Sequence, residues 1–251
     1  MPDQDLFGFV LAGGKSLRMG TNKAALALEG RTLLEHALAI VRQAAGEVAI
    51  LGSNQLYGSY GVPVIEDIVP GCGPLGGIQA ALTHVAQKSK SAAPTATKSS
   101  DALFALIIAV DTPFLDPKFL AYLAQRARES GAVVTTPEIA GYTQPLCAVY
   151  SLDFLPIAER ALKAGQESQR EGRPDSAASQ KVGRKDWLPR ENAGTQQQKS
   201  ADYKIVPLFP QGRTCVITEA EMRKFAFAPE MFDNLNTPED LERARRRTTK
   251  P

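Results

Sequence analysis

The sequence predicts an α/β fold in which a three-layer, doubly wound and mostly parallel sheet forms a single domain. Short apolar runs that end at loops alternate with amphipathic stretches of helical spacing, which is the β-loop-α repeat of such sheets. Residues 103–110 are almost wholly apolar, as expected of a central parallel strand buried on both faces. A chain of 251 residues with 43% hydrophobic content is long enough to bury the core of one such domain.

In the first half of the chain, the first helix has the clearest sequence signals. Thr32 and Glu35 have the spacing of a capping box, apolar residues then recur with helical spacing, and Gly46 ends the pattern. Residues 24–29, just before this helix, are predicted as a short strand or turn. The other elements predicted in this half are strands at 7–11, 48–51, 62–65 and 103–110 and a helix at 78–87.

The second half continues the repeat and ends in a helix with a clear start. Thr237 is a good N-cap, with Pro238 at the first helical position and Asp240 at the third. The other elements predicted are helices at 118–128 and 152–162, strands at 132–136 and 146–150, and an ordered segment at 203–209. Two stretches without hydrophobic period, 88–101 and 166–202, are predicted as flexible insertions. The second is either a flap or an insertion with no role.

Composition argues against several classes of protein. The net charge of +2 is too small to indicate nucleic-acid or membrane binding. The three cysteines lie far apart without a Cys-x-x-Cys pair, so we expect neither a disulfide framework nor a zinc site, and a reducing compartment is favoured. The acidic N-terminal residues lack a signal-peptide pattern, and apolar runs of about eight residues are too short to cross a bilayer. We expect a soluble, cytoplasmic protein with no nucleic-acid or membrane partner.

A glycine-rich loop follows the first predicted strand. Gly13 and Gly14 allow the backbone to approach a ligand closely, and successive loop N–H groups form an anion-binding concavity. The cations Lys15, Arg18 and Lys23 suit a polyphosphate. The spacing matches neither a Walker A loop nor the dinucleotide-binding fingerprint. Phosphate binding is favoured, and an ordinary turn with surface cations is the alternative.

Other chemically useful side chains follow later strands, and parallel strand ends share one edge of a sheet. Asp111 ends the most apolar strand, where a bound Mg²⁺ would compensate a costly carboxylate. The alternative is that Asp111 only makes a turn with Thr112 and Pro113. Asp67 is either a ribose or base ligand or an ordinary loop acid. Asn236 is either a neutral oxygen ligand or a polar residue before a helix cap.

The sequence offers no obvious covalent catalyst. His36 and His84 fall on predicted helices away from these loops, and no Ser–His or Cys–His pairing is apparent. A phosphate cradle, an acid for Mg²⁺ and the lack of an evident nucleophile together indicate nucleotide chemistry. In such chemistry the protein positions two substrates and neutralises charge while one phosphate attacks another.

The motifs, taken in order, resemble the MobA-like nucleotidyltransferases, and within that group the molybdenum cofactor guanylyltransferase family. Residues 11–23 carry the superfamily pattern Leu-Ala-Gly-Gly-x-Ser-x-Arg-Met-Gly-x-x-Lys. The supporting segments are Glu66-Asp67, Gly73-Pro74-Leu75-Gly76-Gly77, Asp111-Thr112-Pro113, Gln144-Pro145 and Asn234-Leu235-Asn236-Thr237-Pro238. The Gly-Pro-Leu-Gly-Gly segment and the Asn-x-Asn-Thr-Pro tail favour the guanylyl branch over the cytidylyl branch.

This resemblance implies a Rossmann-like nucleotidyltransferase fold and an Mg²⁺-dependent transfer of GMP from GTP to the molybdopterin cofactor, with release of pyrophosphate. Arg18, Lys23 and Asp111 would be the catalytic residues, with the two cations on the phosphates. Asp111 would ligate Mg²⁺, and Asn236 would help at the metal or the pterin side. Asp67 would bind the nucleoside, and residues 74–77 would shape the guanine pocket. The implied nucleotide contacts are Leu11, Ala12, Gly13, Gly14, Arg18, Lys23, Asp67, Pro74, Leu75, Gly76, Gly77 and Asp111.

The chain departs from the family pattern at several places. Asn22 stands where the family usually has Asp, and Gly52 stands where a nucleotide-contacting Asn is often found, so that role is not assigned to Gly52. The insertion at 166–202 interrupts the region expected near the pterin. The open alternatives are a cytidylyl- or sugar-nucleotidyltransferase of the same fold and a non-catalytic nucleotide-binding escort of the cofactor. The resemblance also implies transient contact with molybdoenzymes or other cofactor-biosynthesis proteins.

Overall fold

The predicted repeat of strands and helices is present in the computed structural model, which describes residues 2–13, 22–91, 103–171 and 203–248. The strands are β1 (Asp3–Leu11), β2 (Ala27–Leu28), β3 (Arg31–Thr32), β4 (Ala45–Leu51), β5 (Val64–Ile65), β6 (Phe104–Ala109), β7 (Val134–Ile139), β8 (Tyr142–Thr143), β9 (Cys147–Ser151) and β10 (Thr214–Ile217). The helices are α1 (Leu33–Ala44), α2 (Asn54–Tyr57), α3 (Gly73–Ser91), α4 (Pro117–Ser130), α5 (Leu155–Glu171), α6 (Glu219–Lys224) and α7 (Pro238–Thr248).

The main sheet is mostly parallel, as predicted. Its strands lie in the order β10-β7-β9-β6-β1-β4-β5, with β8 paired to β7. The pairs β1–β4, β1–β6, β4–β5 and β10–β7 are parallel, whereas β9 is antiparallel to both β6 and β7. The carboxyl ends of β1, β4, β5, β6 and β7 therefore lie at one edge, which we call the site edge, and β9 begins there.

Helices cover both faces of this sheet, and the alternation of side chains along β1 shows how. Leu6 and Val10 belong to a core cluster that α1 and α4 complete. Phe7, Phe9 and Leu11 belong to a second cluster completed by α3 and α5. Because successive side chains of a strand point to opposite faces, β1 lies between two helical layers. The predicted three-layer architecture is confirmed.

Helix α1 lies directly against β1 at Gly8. A Cβ atom added at Gly8 would collide with the side chain of Val41 and would lie 2.9 Å from Cβ of Ala45. Glycine is therefore required here by the close approach of the helix to the strand.

Both predicted helix starts are confirmed. The Thr32 hydroxyl accepts from the Glu35 amide at 3.2 Å, and the Glu35 carboxylate accepts from the Thr32 amide at 2.6 Å, which completes the capping box. At α7, the Thr237 hydroxyl accepts from the Asp240 amide at 3.1 Å, and the Asp240 carboxylate accepts from the Thr237 amide at 2.9 Å. These reciprocal bonds satisfy amides that the first helical turn leaves unpaired.

Two helices are longer than predicted. Helix α3 begins at Gly73 instead of at 78, so residues 73–77 form its first turn, and it continues to Ser91 instead of ending at 87. Helix α5 continues to Glu171. The predicted insertions are therefore wrong over 88–91 and 166–171, which are helical. Their remaining residues lie outside the described ranges.

Residues 24–29, predicted as a short strand or turn, contain both: a 3₁₀ turn at Lys23–Ala25 and strand β2, which forms a hairpin with β3. Other short elements were not predicted. Strand β10 and helix α6 are too short for a periodic pattern to reveal them. In the ranges that the structure describes, no helix has the length and apolar character needed to cross a membrane.

Candidate functional site

The end of β1 lies at the centre of the site edge. The amides of Ala12 and Gly13 donate to the Leu51 carbonyl at 3.0 and 3.1 Å, and the Leu11 carbonyl accepts from the Val110 amide at 3.2 Å. These bonds tie the start of the glycine-rich loop to the ends of β4 and β6. Gly14 and Arg18, both predicted nucleotide contacts, fall in 14–21 and lie outside the described residues.

Three predicted site residues meet at this edge and form what we call the lysine cluster: Lys23, Asp111 and Asn236. The Lys23 ammonium donates to Oδ2 of Asp111 at 2.8 Å and to Oδ1 of Asn236 at 2.6 Å. The side chains of Lys23 and Asp111 are 12% and 22% exposed, so this ion pair is largely shielded from solvent. Segments far apart in the sequence thus place a cation between two oxygen ligands.

The backbone of Asp111 makes a turn of its own. The Thr112 hydroxyl donates to the Ala109 carbonyl at 2.9 Å, and the Asp111 carbonyl accepts from the Leu235 amide at 2.9 Å. The turn interpretation and the ligand interpretation of Asp111 are therefore compatible. The backbone anchors the tail that carries Asn236, while the carboxylate faces Lys23.

A second group, which we call the glycine cluster, consists of Leu11, Asp67, Gly76 and Gly77. A Cβ atom added at Gly76 would lie 3.5 Å from Cγ of Asp67, and one added at Gly77 would lie 2.8 Å from Cδ1 of Leu11. Burial raises the pKa of the Asp67 carboxyl. Within the described ranges no donor bonds to this half-buried carboxylate, which leaves its oxygens available to a ligand.

Residues 74–77 offer a ligand at the site edge mainly backbone groups, and few side-chain atoms. They form the start of α3, where the first amides of a helix have no intrahelical acceptor and attract negative or hydrogen-bond-accepting groups. Leu75 is 0% exposed and packs in the core, and Gly76 and Gly77 are buried, whereas Pro74 is exposed. A contact between a ligand and Leu75 would therefore fall on its backbone.

The lysine cluster has the ligand types of a hard-cation site. One carboxylate oxygen of Asp111 and the amide oxygen of Asn236 both accept hydrogen bonds from the Lys23 ammonium. Within the described ranges, no group of three or more His, Cys, Asp or Glu side chains could hold a metal ion alone. Mg²⁺ commonly takes one or two carboxylates and completes its coordination with substrate phosphates and water, so Asp111 and Asn236 fit it.

The two histidines lie away from these clusters, as predicted. The Nε2 atom of His36 lies 2.8 Å from the Leu28 carbonyl, and the ring of His84 packs edge-on against Phe9 with centroids 6.2 Å apart. Both rings are engaged in packing contacts of the fold. The chemistry that this edge supports is charge neutralisation and positioning by Lys23, Asp111 and neighbouring backbone amides.

Sequence reasoning missed Tyr57. Its hydroxyl donates to the Ala12 carbonyl at 3.0 Å and to Oδ1 of Asn22 at 3.2 Å. The residue is 3% exposed and lies in a four-residue helix that carries no motif. The available signal was its place shortly after the strand that ends at Leu51, which brings its chain segment to the site edge.

Comparison with known proteins places the chain among nucleotidyltransferases. A family model for the MobA-like NTP transferase domain matches residues 8–176. A protein named probable molybdenum cofactor guanylyltransferase from Pelotomaculum thermopropionicum is 27% identical over 239 residues, which cover 95% of this chain and 91% of that protein. One of the same name from Mycobacterium ulcerans is 35% identical over 195 residues, covering 76% and 89%.

Solved structures share the fold. Molybdopterin-guanine dinucleotide biosynthesis protein A from Archaeoglobus fulgidus superposes with a TM-score of 0.69 at 23% identity, covering 98% of this chain and 100% of that one. 2-C-methyl-D-erythritol 4-phosphate cytidylyltransferase from Thermus thermophilus superposes with a TM-score of 0.52 at 14% identity, covering 96% and 98%. The predicted Rossmann-like nucleotidyltransferase fold is confirmed.

Proposed function

Because this chain belongs to the MobA-like NTP transferase domain family, we propose that it transfers GMP from GTP to the molybdopterin cofactor, giving the guanine dinucleotide form and pyrophosphate. The chain is a nucleotidyltransferase. The observation that carries the finer proposal is that the lysine cluster and the glycine cluster lie at the same sheet edge. This edge therefore provides a charge-neutralising group, Lys23, and a half-buried carboxylate, Asp67.

The glycine cluster is the proposed guanine and ribose side of the site. Guanine presents two adjacent N–H donors on one edge, and a carboxylate such as Asp67 accepts a bidentate pair of this kind. The free amides of the first turn of α3 can donate to ligand oxygens. Half-buried and without a donor in the described ranges, the Asp67 carboxylate gains hydrogen bonds when such a base binds.

The lysine cluster is the proposed transfer side. An oxygen of the pterin phosphate forms a bond to the α-phosphorus of GTP, while the bond from that phosphorus to the bridging oxygen breaks and pyrophosphate leaves with the electron pair. Lys23, with Arg18 as its proposed companion, neutralises the negative charge that builds on the leaving group. Asp111 and Asn236 would hold Mg²⁺, which supplies Lewis-acid polarisation of the phosphates when bound.

The acceptor and the later fate of the product are also part of the proposal. A pterin phosphate would enter on the side of Asp111 and Asn236, and the product would pass to molybdoenzymes or other proteins of cofactor biosynthesis through transient contacts. The family resemblance supports this acceptor, and the names of the relatives agree with it.

The deciding experiment measures pyrophosphate release from molybdopterin with each nucleoside triphosphate in turn, in the presence of Mg²⁺. We expect release with GTP, and we expect GTP to raise the melting temperature of the protein more than CTP does. Protection and turnover with CTP alone would replace the guanylyl assignment by a cytidylyl one. Release with a sugar phosphate as acceptor would indicate a sugar-nucleotidyltransferase.

A substitution at Asp111 separates the enzyme from a non-catalytic cofactor escort. Asp111→Asn keeps an oxygen acceptor for Lys23 but removes the charge, and we expect turnover to fall by about 100-fold or more in a chain that still folds. The matched control is Asp116→Asn, because Asp116 caps α4 and Asn is an equally good N-cap. Equal pyrophosphate release from Asp111→Asn and wild type would refute the catalytic role.

A further inference from the structure

We propose that Tyr57 is a positioning residue for nucleotidyl transfer, because its hydroxyl joins the two flanks of the phosphate loop and thereby places Lys23. One flank is Ala12, just before Gly13, and the other is Asn22, just before Lys23. Only the kinetic consequence rests on the proposed function. The arrangement itself can be tested without any substrate.

The hydroxyl of Tyr57 connects chain segments that are far apart in sequence. It lies 3.0 Å from the Ala12 carbonyl, 45 residues away, and 3.2 Å from Oδ1 of Asn22, 35 residues away. Both partners are acceptors, so a single hydroxyl proton is shared between the two flanks. Burial raises the pKa of the Tyr57 hydroxyl, which therefore keeps this proton at neutral pH.

The side chain of Asn22, held by Tyr57, also restrains the turn that begins with Lys23. Its Oδ1 atom also accepts from the Ala24 amide at 3.1 Å, and so caps the 3₁₀ turn Lys23–Ala25. From that turn, the Lys23 side chain reaches Asp111 at 2.8 Å. An amide oxygen is sufficient for both acceptor roles of residue 22. The asparagine at this position is therefore compatible with an ordered loop flank.

The lack of a side chain at Gly52 leaves room for the Tyr57 ring. A Cβ atom added at Gly52 would lie 2.9 Å from Cε2 of Tyr57 and 3.4 Å from the Gly13 amide nitrogen. A side chain at position 52 and the ring of Tyr57 would compete for the same space under the start of the loop. The two departures noted in the sequence, Asn22 and Gly52, are thus parts of one arrangement with Tyr57 at its centre.

Hydrogen exchange of the ligand-free protein tests this arrangement. Tyr57→Phe keeps the ring and removes only the hydroxyl, so we expect faster exchange in the peptide that contains the Ala24 amide while the melting temperature changes little. Tyr60→Phe is the matched control, because its ring packs against Tyr57 with centroids 6.3 Å apart but lies outside the loop flanks. Unchanged exchange in Tyr57→Phe would overturn the proposal.

Variants of Asn22 test whether its Oδ1 atom is the acceptor through which the Tyr57 hydroxyl restrains the turn Lys23–Ala25. Asn22→Ala removes Oδ1 and should speed exchange of the same peptide, whereas Asn22→Asp keeps an acceptor oxygen and should restore slow exchange. Adding Tyr57→Phe to Asn22→Ala should change the exchange of this peptide little further, because Asn22→Ala already removes both the bond to Tyr57 and the cap on the Ala24 amide. Fully additive effects would mean that the two side chains act independently and would contradict the proposal.

Steady-state kinetics test the catalytic consequence. We expect Tyr57→Phe to lower kcat/KM for the nucleotide by about five- to tenfold, the effect of losing one such hydrogen bond, with the KM of the acceptor unchanged. If Tyr57 had only a structural role, Tyr57→Phe would change the KM of the nucleotide and the KM of the acceptor together with the melting temperature. If wild type turns over no nucleotide, the proposed function fails while the exchange result still decides the role of Tyr57. Wild-type kinetics in Tyr57→Phe would refute the positioning role.

Discussion

At the scale of single residues, the half-buried Asp67 carboxylate illustrates a conflict between stability and ligand binding. Desolvation raises its pKa, so the folded chain holds this proton more tightly than the unfolded chain does. Its contribution to stability is therefore present at low pH and is lost as the pH rises through the folded-state pKa. At neutral pH the ionised group lowers the free energy of unfolding.

We predict that Asp67→Asn raises the melting temperature at neutral pH and weakens protection by the nucleotide. The gain in stability should shrink as the pH falls from the raised pKa toward the ordinary aspartate value, where wild type also becomes uncharged. Thermal melts of both proteins across that pH range provide the measurement. Asp153→Asn, which removes the same charge from an exposed aspartate, is the control for the change in net charge. A lower melting temperature for Asp67→Asn throughout would contradict the argument.

In the structure Lys23, Asp111 and Asn236 meet at the site edge. The sequence predicted Lys23 as a cation of the loop after the first strand, Asp111 from its place at a strand end, and Asn236 as a neutral oxygen ligand before the last helix. It could not show that one ammonium lies between the two oxygens, since that distance depends on how three loops fold. For Tyr57 the sequence showed only its place shortly after a strand end, because its contacts depend on the missing side chain of Gly52. That relationship becomes visible only when the two residues are seen in contact.

At the scale of elements, the contact of α1 with β1 depends on Gly8. We predict that Gly8→Ala lowers the free energy of unfolding by about 1–3 kcal/mol, because the added methyl group forces the helix away from the sheet. Urea denaturation measures this change. Gly58→Ala is a suitable control, because the nearest atom there belongs to the exposed Asn54 side chain and the backbone φ of −59° suits alanine. Equal stability of the two variants would show that α1 can shift without loss.

The first turn of α3 shows where element prediction failed. Glycine and proline usually mark loops, and 73–77 contains both. Proline is tolerated in a first helical turn because its missing amide would have no acceptor there. The buried Gly76 and Gly77 are explained by neighbours in space, Asp67 and Leu11, which the local sequence does not contain.

At the scale of the whole molecule, the site links the N-terminal loop to the C-terminal helix. The Lys23–Asn236 bond and the Leu235–Asp111 backbone bond both lead into α7, and Arg245 of α7 donates to the Ala27 carbonyl at 2.8 Å. The order at the start of α7 should therefore depend on how the charges of the site are satisfied.

We predict that GTP with Mg²⁺ slows hydrogen exchange at the start of α7 more than GTP with a chelator does. Without the metal, phosphate attracts Lys23 and leaves Asn236 without its donor. Helix α4 provides an internal control, since it lies outside the two clusters. Equal protection of α7 under both conditions would show that the C-terminal segment does not sense the metal.

The large sequence separation within the lysine cluster also has a consequence for the synthesis of the chain. Lys23 and Asn236 are 213 residues apart, and β1 pairs with β6 only after about a hundred further residues have been made. A nascent chain can complete α1 and β4 around β1 early, yet it holds no complete site until Asn236 has left the ribosome. Translation that stops before Asn236 therefore yields fragments in which Lys23 lacks one of its two hydrogen-bond acceptors.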